Sequence, residues 1–147
     1  MSIEDFKLGP INHVGVAVPD VVAAADMYRR VFNATEISDL IDLPSQSVKV
    51  IFVNTPAGQV ELIEPRDENS PISKFLEKNP LGGQHHLCFE VADIYKAKAE
   101  MEAKGVRVLN EPRIGTPIRG SFKTRTPLAS ISALALCISA TSKQTWC

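Results

Sequence analysis

The sequence has few of the residues that mark several large classes of protein. Three cysteines are scattered among 147 residues, at Cys88, Cys137 and Cys147. They predict neither a disulfide framework nor a paired-cysteine zinc knuckle, so we expect a reducing compartment. The formal net charge is -1, and no basic or acidic block dominates. We therefore expect neither nucleic acid nor an anionic membrane as a partner.

Long apolar runs are also missing. The most apolar late stretch, residues 131–139, is too short to cross a bilayer. The first ten residues, MSIEDFKLGP, carry acidic residues and no long apolar core, so they predict neither a secretory signal nor a transit peptide. With 44% hydrophobic residues, the chain is long enough for one domain with a real core, and a small ligand is expected.

Strand and helix signals alternate along the first half. Residues 11–18 predict a strand, and Asp20 offers a capping oxygen to a helix over residues 21–32. Three further strands are predicted, at residues 34–37, 47–54 and 59–63. This order is βαβββ. A short amphipathic helix is predicted after Pro71, with Phe75 and Leu76 facing inward.

The second half begins as a repeat of the first. When residues 12–28 are laid over residues 85–101 at a constant offset of 73, four pairs match, namely His13 with His86, Val18 with Val91, Asp20 with Asp93 and Ala24 with Ala97. Gly105 is expected to end the second helix, and a strand is predicted over residues 106–109. Periods this long indicate a duplicated unit, so the prediction is an α+β fold of paired βαβββ modules.

The repeat places two of the three histidines at equivalent positions. A lone strand histidine is most often a packed or surface residue, but two at equivalent positions of paired modules can point into one concavity. His13 and His86 are therefore candidate ligands of a first-row metal. His85 should face the other side of the pleat, as a structural residue or a second contact. Glu61 could face outward or join the site, and the two histidines favour the site, whereas Glu64 is expected to be solvated.

The combined motifs NHVGVAVPD, SVKVIFVN, QVELIEP, DENSPISKFLEKN and GGQHHLCFEVADI resemble those of methylmalonyl-CoA epimerases in the vicinal oxygen chelate superfamily. The resemblance covers about residues 10–115. It implies a homodimer and a divalent metal such as cobalt, held by two histidines, a Gln or Glu, and a glutamate on the last strand. The first three ligands carry over to His13, Glu61 and His86, and no catalytic residue is assigned.

The resemblance further implies epimerisation of methylmalonyl-CoA at C2 in propionyl-CoA catabolism. It implies a mitochondrial location in animals, although no transit peptide is visible, so a cytoplasmic location stays open. A single domain over residues 1–147 is predicted. Its parts are a first module at 10–65, a connecting segment at 66–83, the start of a second module at 84–115 and an atypical tail at 116–147.

The tail departs from the family pattern. From Pro112 to Cys147 there is no Asp, Glu or His, and the repeat places Leu134 opposite Glu61, where the fourth ligand belongs. An alternative exon or reading frame would produce this change, and so would a divergent native end. The second module is thus expected to be incomplete or divergent, and activity to be impaired. A non-catalytic metal-binding or small-molecule-binding module, or a glyoxalase-like or dioxygenase-like enzyme, remains the alternative.

Overall fold

The structure is a computed structural model that describes residues 6–108. Its strands are β1 (Leu8–Ala17), β2 (Ile41–Leu43), β3 (Val48–Thr55), β4 (Gly58–Pro65) and β5 (Gly83–Val91). Its α-helices are α1 (Val21–Phe32), α2 (Pro71–Lys78) and α3 (Ile94–Ala103). Within this range, no helix is long and apolar enough to cross a membrane.

The five strands form one mixed sheet in the order β2-β3-β4-β1-β5. The hairpin of β3 and β4 is antiparallel, as is the pair β2 and β3, whereas β1 runs parallel to β4. A parallel neighbour requires a long crossover connection, and α1, β2 and β3 lie between β1 and β4 in the chain. The predicted βαβββ order of the first module and the α+β fold class are confirmed.

The described chain divides into two compact units, residues 13–86 and residues 6–12 with 87–108. In the larger unit, successive residues of β3 and β4 alternate between two apolar clusters because side chains in a strand alternate in direction. One cluster contains α1 residues and the other contains Ile72 of α2. Phe75 and Leu76 pack against the second cluster, as predicted. In the smaller unit, Phe6 packs against a cluster of β5 and α3 residues. The proposed module boundaries stay a prediction.

The predicted cap at Asp20 is confirmed, and Asp93, its match in the repeat, caps α3. The side chain of Asp20 accepts a hydrogen bond from the Ala23 backbone N–H at 2.8 Å, and that of Asp93 accepts one from Lys96 at 2.9 Å. Each bonds a backbone N–H group in the first turn of a helix, where the helix itself supplies no carbonyl partner. The two aspartates matched by the repeat therefore each cap the helix that follows them.

The prediction of a strand over residues 34–37 is wrong. Ile37 makes only an isolated bridge to Val53, and residues 41–43 form the strand that pairs with β3. Nearby, the Ser38 hydroxyl accepts a hydrogen bond from the Phe52 backbone N–H at 2.9 Å. A side-chain oxygen thus takes the place of a ladder carbonyl, which keeps this segment from extending along β3.

The predicted strand at residues 106–109 does not form over its described part, residues 106–108. Gly105 takes a positive φ of 81°, and the Val106 N–H donates to the Met101 carbonyl at 2.9 Å. This bond forms a Schellman-type cap at the end of α3, so the N–H group of Val106 bonds to the helix and not to a neighbouring strand. Leu109 lies outside the described residues.

Candidate metal centre

Three side chains converge from three adjacent strands on one face of the sheet. His13 lies on β1, Glu61 on β4 and His86 on β5, with β1 in the middle. The register pairs Gly15 with Glu61, so the carboxylate lies beside β1, two residues beyond His13. Residues two apart share a face, and the outward alternative for Glu61 is therefore not the arrangement seen.

The donor atoms form a nearly equilateral triangle. Oε2 of Glu61 lies 3.2 Å from Nε2 of His13 and 3.3 Å from Nε2 of His86. The two Nε2 atoms are 3.2 Å apart. The three side chains are only 11–13% exposed, so the cluster is shielded from most of the solvent.

This triangle fits a first-row metal ion. With metal–donor distances of about 2.1 Å, two donors lie about 3.0 Å apart at a right angle and about 3.4 Å apart at the tetrahedral angle. The measured separations fall between these values. Two imidazoles and one carboxylate also suit zinc, iron or cobalt better than magnesium or calcium, which prefer oxygen donors. Among residues 6–108, these three are the cluster of His, Cys, Asp or Glu side chains whose donor atoms lie close enough together to hold a metal ion.

The charge state of Glu61 suits a ligand. Burial by itself would raise the pKa of Glu61, but hydrogen bonds from His13 and His86 and their positive charges outweigh it and lower the pKa to about 2. The carboxylate therefore stays ionised near neutral pH. A ligand must be deprotonated before it can bind a cation, and this one already is.

His85 lies beside the cluster and contributes no donor atom to it. Its ring meets Phe75 of α2 edge-on, with centroids 5.2 Å apart, and its Nδ1 lies 3.0 Å from Nδ1 of His86. Burial first, and then the charge of His86, lower the pKa of His85, while Glu61 acts in the opposite direction. It is thus a packed neighbour of His86, which was one of the two predicted roles. The prediction that it faces the other side of the pleat is wrong, because its ring centroid lies 5.2 Å from that of His86.

An aromatic side chain, Phe52, borders the site. Phe52 on β3 pairs directly with Glu61 on β4. Its ring meets that of His13 edge-on at a centroid distance of 6.3 Å. An apolar ring therefore lies next to His13 and on the strand that pairs with Glu61, and charge interactions strengthen in apolar surroundings.

The prediction that Glu64 is solvated is wrong. Its Oε2 accepts a hydrogen bond from the Val21 backbone N–H at 2.8 Å, at the start of α1, and its Oε1 lies 3.3 Å from Nζ of Lys49. A carboxylate is favoured at a helix N-terminus because the unpaired N–H groups and the helix dipole are positive there. No local signal predicts this contact, since the partners are 43 residues apart in the chain.

The comparisons with known proteins identify the lineage. The profile of the Glyoxalase/Bleomycin resistance protein/Dioxygenase superfamily matches residues 12–122. The ethylmalonyl-CoA/methylmalonyl-CoA epimerase of Cereibacter sphaeroides is 48% identical over 110 residues, which are 74% of this chain and 81% of that protein. This chain belongs to the methylmalonyl-CoA epimerases of that superfamily. The human mitochondrial epimerase is 42% identical over 72% of this chain, which spans 60% of its length.

Solved epimerase structures share the fold. A methylmalonyl-CoA epimerase in complex with methylmalonyl-CoA and NH4+ matches with a TM-score of 0.67 and 34% identity, over 75% of this chain and 80% of that one. A variant of the Streptomyces coelicolor epimerase in complex with 2-nitronate-propionyl-CoA matches with the same TM-score and identity, over 75% and 82%. The relatives include mitochondrial and bacterial proteins. Both kinds of origin are thus compatible with the family.

Proposed function

We propose that this chain epimerises methylmalonyl-CoA at C2 and holds a divalent metal ion, with cobalt as the first candidate, through His13, Glu61 and His86. The observation that carries the proposal is the triangle of donor atoms with sides of 3.2–3.3 Å in a chain 48% identical to a bacterial epimerase. A homodimer is proposed as well, from the resemblance to the family alone. A mitochondrial location is proposed for an animal source, as for the mouse and human relatives.

The reaction removes a weakly acidic proton from C2 of a thioester and returns one to the other face. A divalent ion held by His13, Glu61 and His86 would supply Lewis-acid stabilisation of the negative charge that develops on the thioester oxygen. Glu61 is suited to ligation and not to proton transfer, because a general base works best with a pKa near the working pH and that of Glu61 is about 2.

We expect the activity to be weak. The family resemblance implies a glutamate on the last strand, but the sequence contains no Asp, Glu or His from Pro112 onward. That region and Leu134 lie outside the described residues. Loss of one placed acid or base costs about 10²–10⁴-fold in rate.

A metal-binding module without turnover is the second candidate, and the same missing carboxylate favours it. A site with two histidines and one carboxylate is also typical of non-haem iron oxygenases. The similarity to epimerases favours the epimerase over that class. Turnover therefore has to be measured separately from metal binding.

Metal binding is tested with a matched pair of glutamate variants. Glu61→Gln removes the charge of a proposed ligand, and Glu68→Gln makes the same chemical change at an exposed position. We expect wild type and Glu68→Gln to retain about one cobalt per chain after dialysis and Glu61→Gln to retain far less. Equal cobalt in all three proteins would refute the ligand assignment.

Turnover is tested by exchange of the C2 proton of methylmalonyl-CoA for solvent deuterium, followed by NMR with added cobalt. Slow exchange above the protein-free rate, lost in His86→Ala, is the expected result. Metal binding without any exchange would support the module without turnover. Exchange as fast as in an efficient enzyme would refute the argument from the missing carboxylate.

A further inference from the structure

Gly15 lies between the donors of the site. It is on the middle strand β1 and pairs in register with Glu61 on β4, while His86 is on β5. Adjacent strands are about 4.8 Å apart, so His86 and Glu61 start from strands separated by about 10 Å. Their side chains can meet only above β1.

The imidazole of His86 passes directly over Gly15. A Cβ atom built on Gly15 would lie 2.6 Å from Nε2 of His86, and closer still to Cε1 and Nδ1 of the same ring. Real Cβ atoms essentially never approach other atoms to within 3.0 Å. The ring thus occupies the space that any other residue at position 15 would fill.

The ring has little room to move elsewhere. Its Nε2 is within 3.3 Å of both other donors, its Nδ1 is 3.0 Å from Nδ1 of His85, and the His86 side chain is only 11% exposed. Interiors are close-packed, so even one added methyl group is felt. A side chain at position 15 must therefore displace the His86 ring from the other donors.

We infer that Gly15 is a positioning residue of the metal centre, whose missing side chain allows His86 to reach across β1 to Glu61. This inference rests on the proposed metal site and adds a determinant of its affinity. Gly15 has no donor of its own and acts only through the position of the His86 imidazole.

Gly15→Ala and Gly15→Val test the inference by cobalt affinity, with Gly9→Ala as the matched control. Gly9 is on the same strand, and a Cβ there would also clash, at 2.7 Å from the Glu90 carbonyl oxygen. Changes in residues that orient metal ligands typically cost 10–100-fold in affinity. We expect a loss of about tenfold or more for Gly15→Ala, a larger loss for Gly15→Val, and the wild-type affinity for Gly9→Ala. Wild-type affinity in both Gly15 variants would overturn the inference.

A second measurement needs no metal. In a double-mutant cycle, the loss of thermal stability caused by Gly15→Ala should largely disappear in a His86→Ala background, because the clashing ring is gone. An equal loss in both backgrounds would overturn the inference whether or not cobalt binds. Failure of the wild type to bind cobalt, with the cycle behaving as expected, would instead refute the metal site and leave the packing role of Gly15 intact.

Discussion

Acid should destabilise the metal-free protein in large part through Glu61. The pKa of Glu61 is about 2 in the folded protein, against an ordinary value of 4.5. At about 1.4 kcal/mol per pH unit, this difference corresponds to about 3 kcal/mol of folding free energy. Solvent screens these charge interactions only weakly, because the Glu61 side chain is only 13% exposed.

The direction follows from which state binds the proton first. The folded pKa is lower than the unfolded one, so the unfolded chain takes up the proton as the pH falls below about 4.5. The stabilisation is complete above this range and is lost as the pH approaches 2.

Urea unfolding in the presence of a chelator, at several pH values between 6 and 2, measures this effect. Other carboxyl groups also titrate in this range, so the relevant quantity is the stability of wild type minus that of Glu61→Gln. We expect this difference to shrink by about 3 kcal/mol over the range. Glu68→Gln should follow wild type throughout. Parallel curves for wild type and Glu61→Gln would refute the charge coupling between Glu61 and the histidines.

Three further perturbations test the site and the fold. Cobalt at a hundredfold excess over its dissociation constant should stabilise wild type by about 2.7 kcal/mol in thermal unfolding and leave His86→Ala unchanged, provided that circular dichroism shows this variant folded. Asp20→Ala should cost about 1 kcal/mol in urea unfolding because it removes the cap of α1, whereas Asp20→Ser should recover most of it. Leu62→Ala, at a fully buried position, should lower the free energy of unfolding by about 2–5 kcal/mol. Leu81→Ala, at a position 94% exposed, should leave it almost unchanged. Similar losses of stability in the two variants would contradict the assignment of Leu62 to the core.

The sequence by itself determined the features that depend on a few neighbouring residues. Asp20 and Asp93 were predictable as caps because a cap bonds an N–H group only three residues further on. The repeat predicted that His13 and His86 occupy equivalent strands, and the structure brings their Nε2 atoms to 3.2 Å. The strand signals at residues 47–54 and 59–63 likewise predicted β3 and β4, and the predicted ends lie within one or two residues of the observed ends.

Only the tertiary structure decided the features that depend on strand register and on residues far apart in the chain. The direction of Glu61 follows from its pairing with Phe52 and Gly15, and the contact of Glu64 with the start of α1 joins residues 43 apart. The space above Gly15 exists because β1 lies between β4 and β5. Local patterns constrain backbone conformation over a few residues, whereas these contacts depend on which strands become neighbours and in which register they pair.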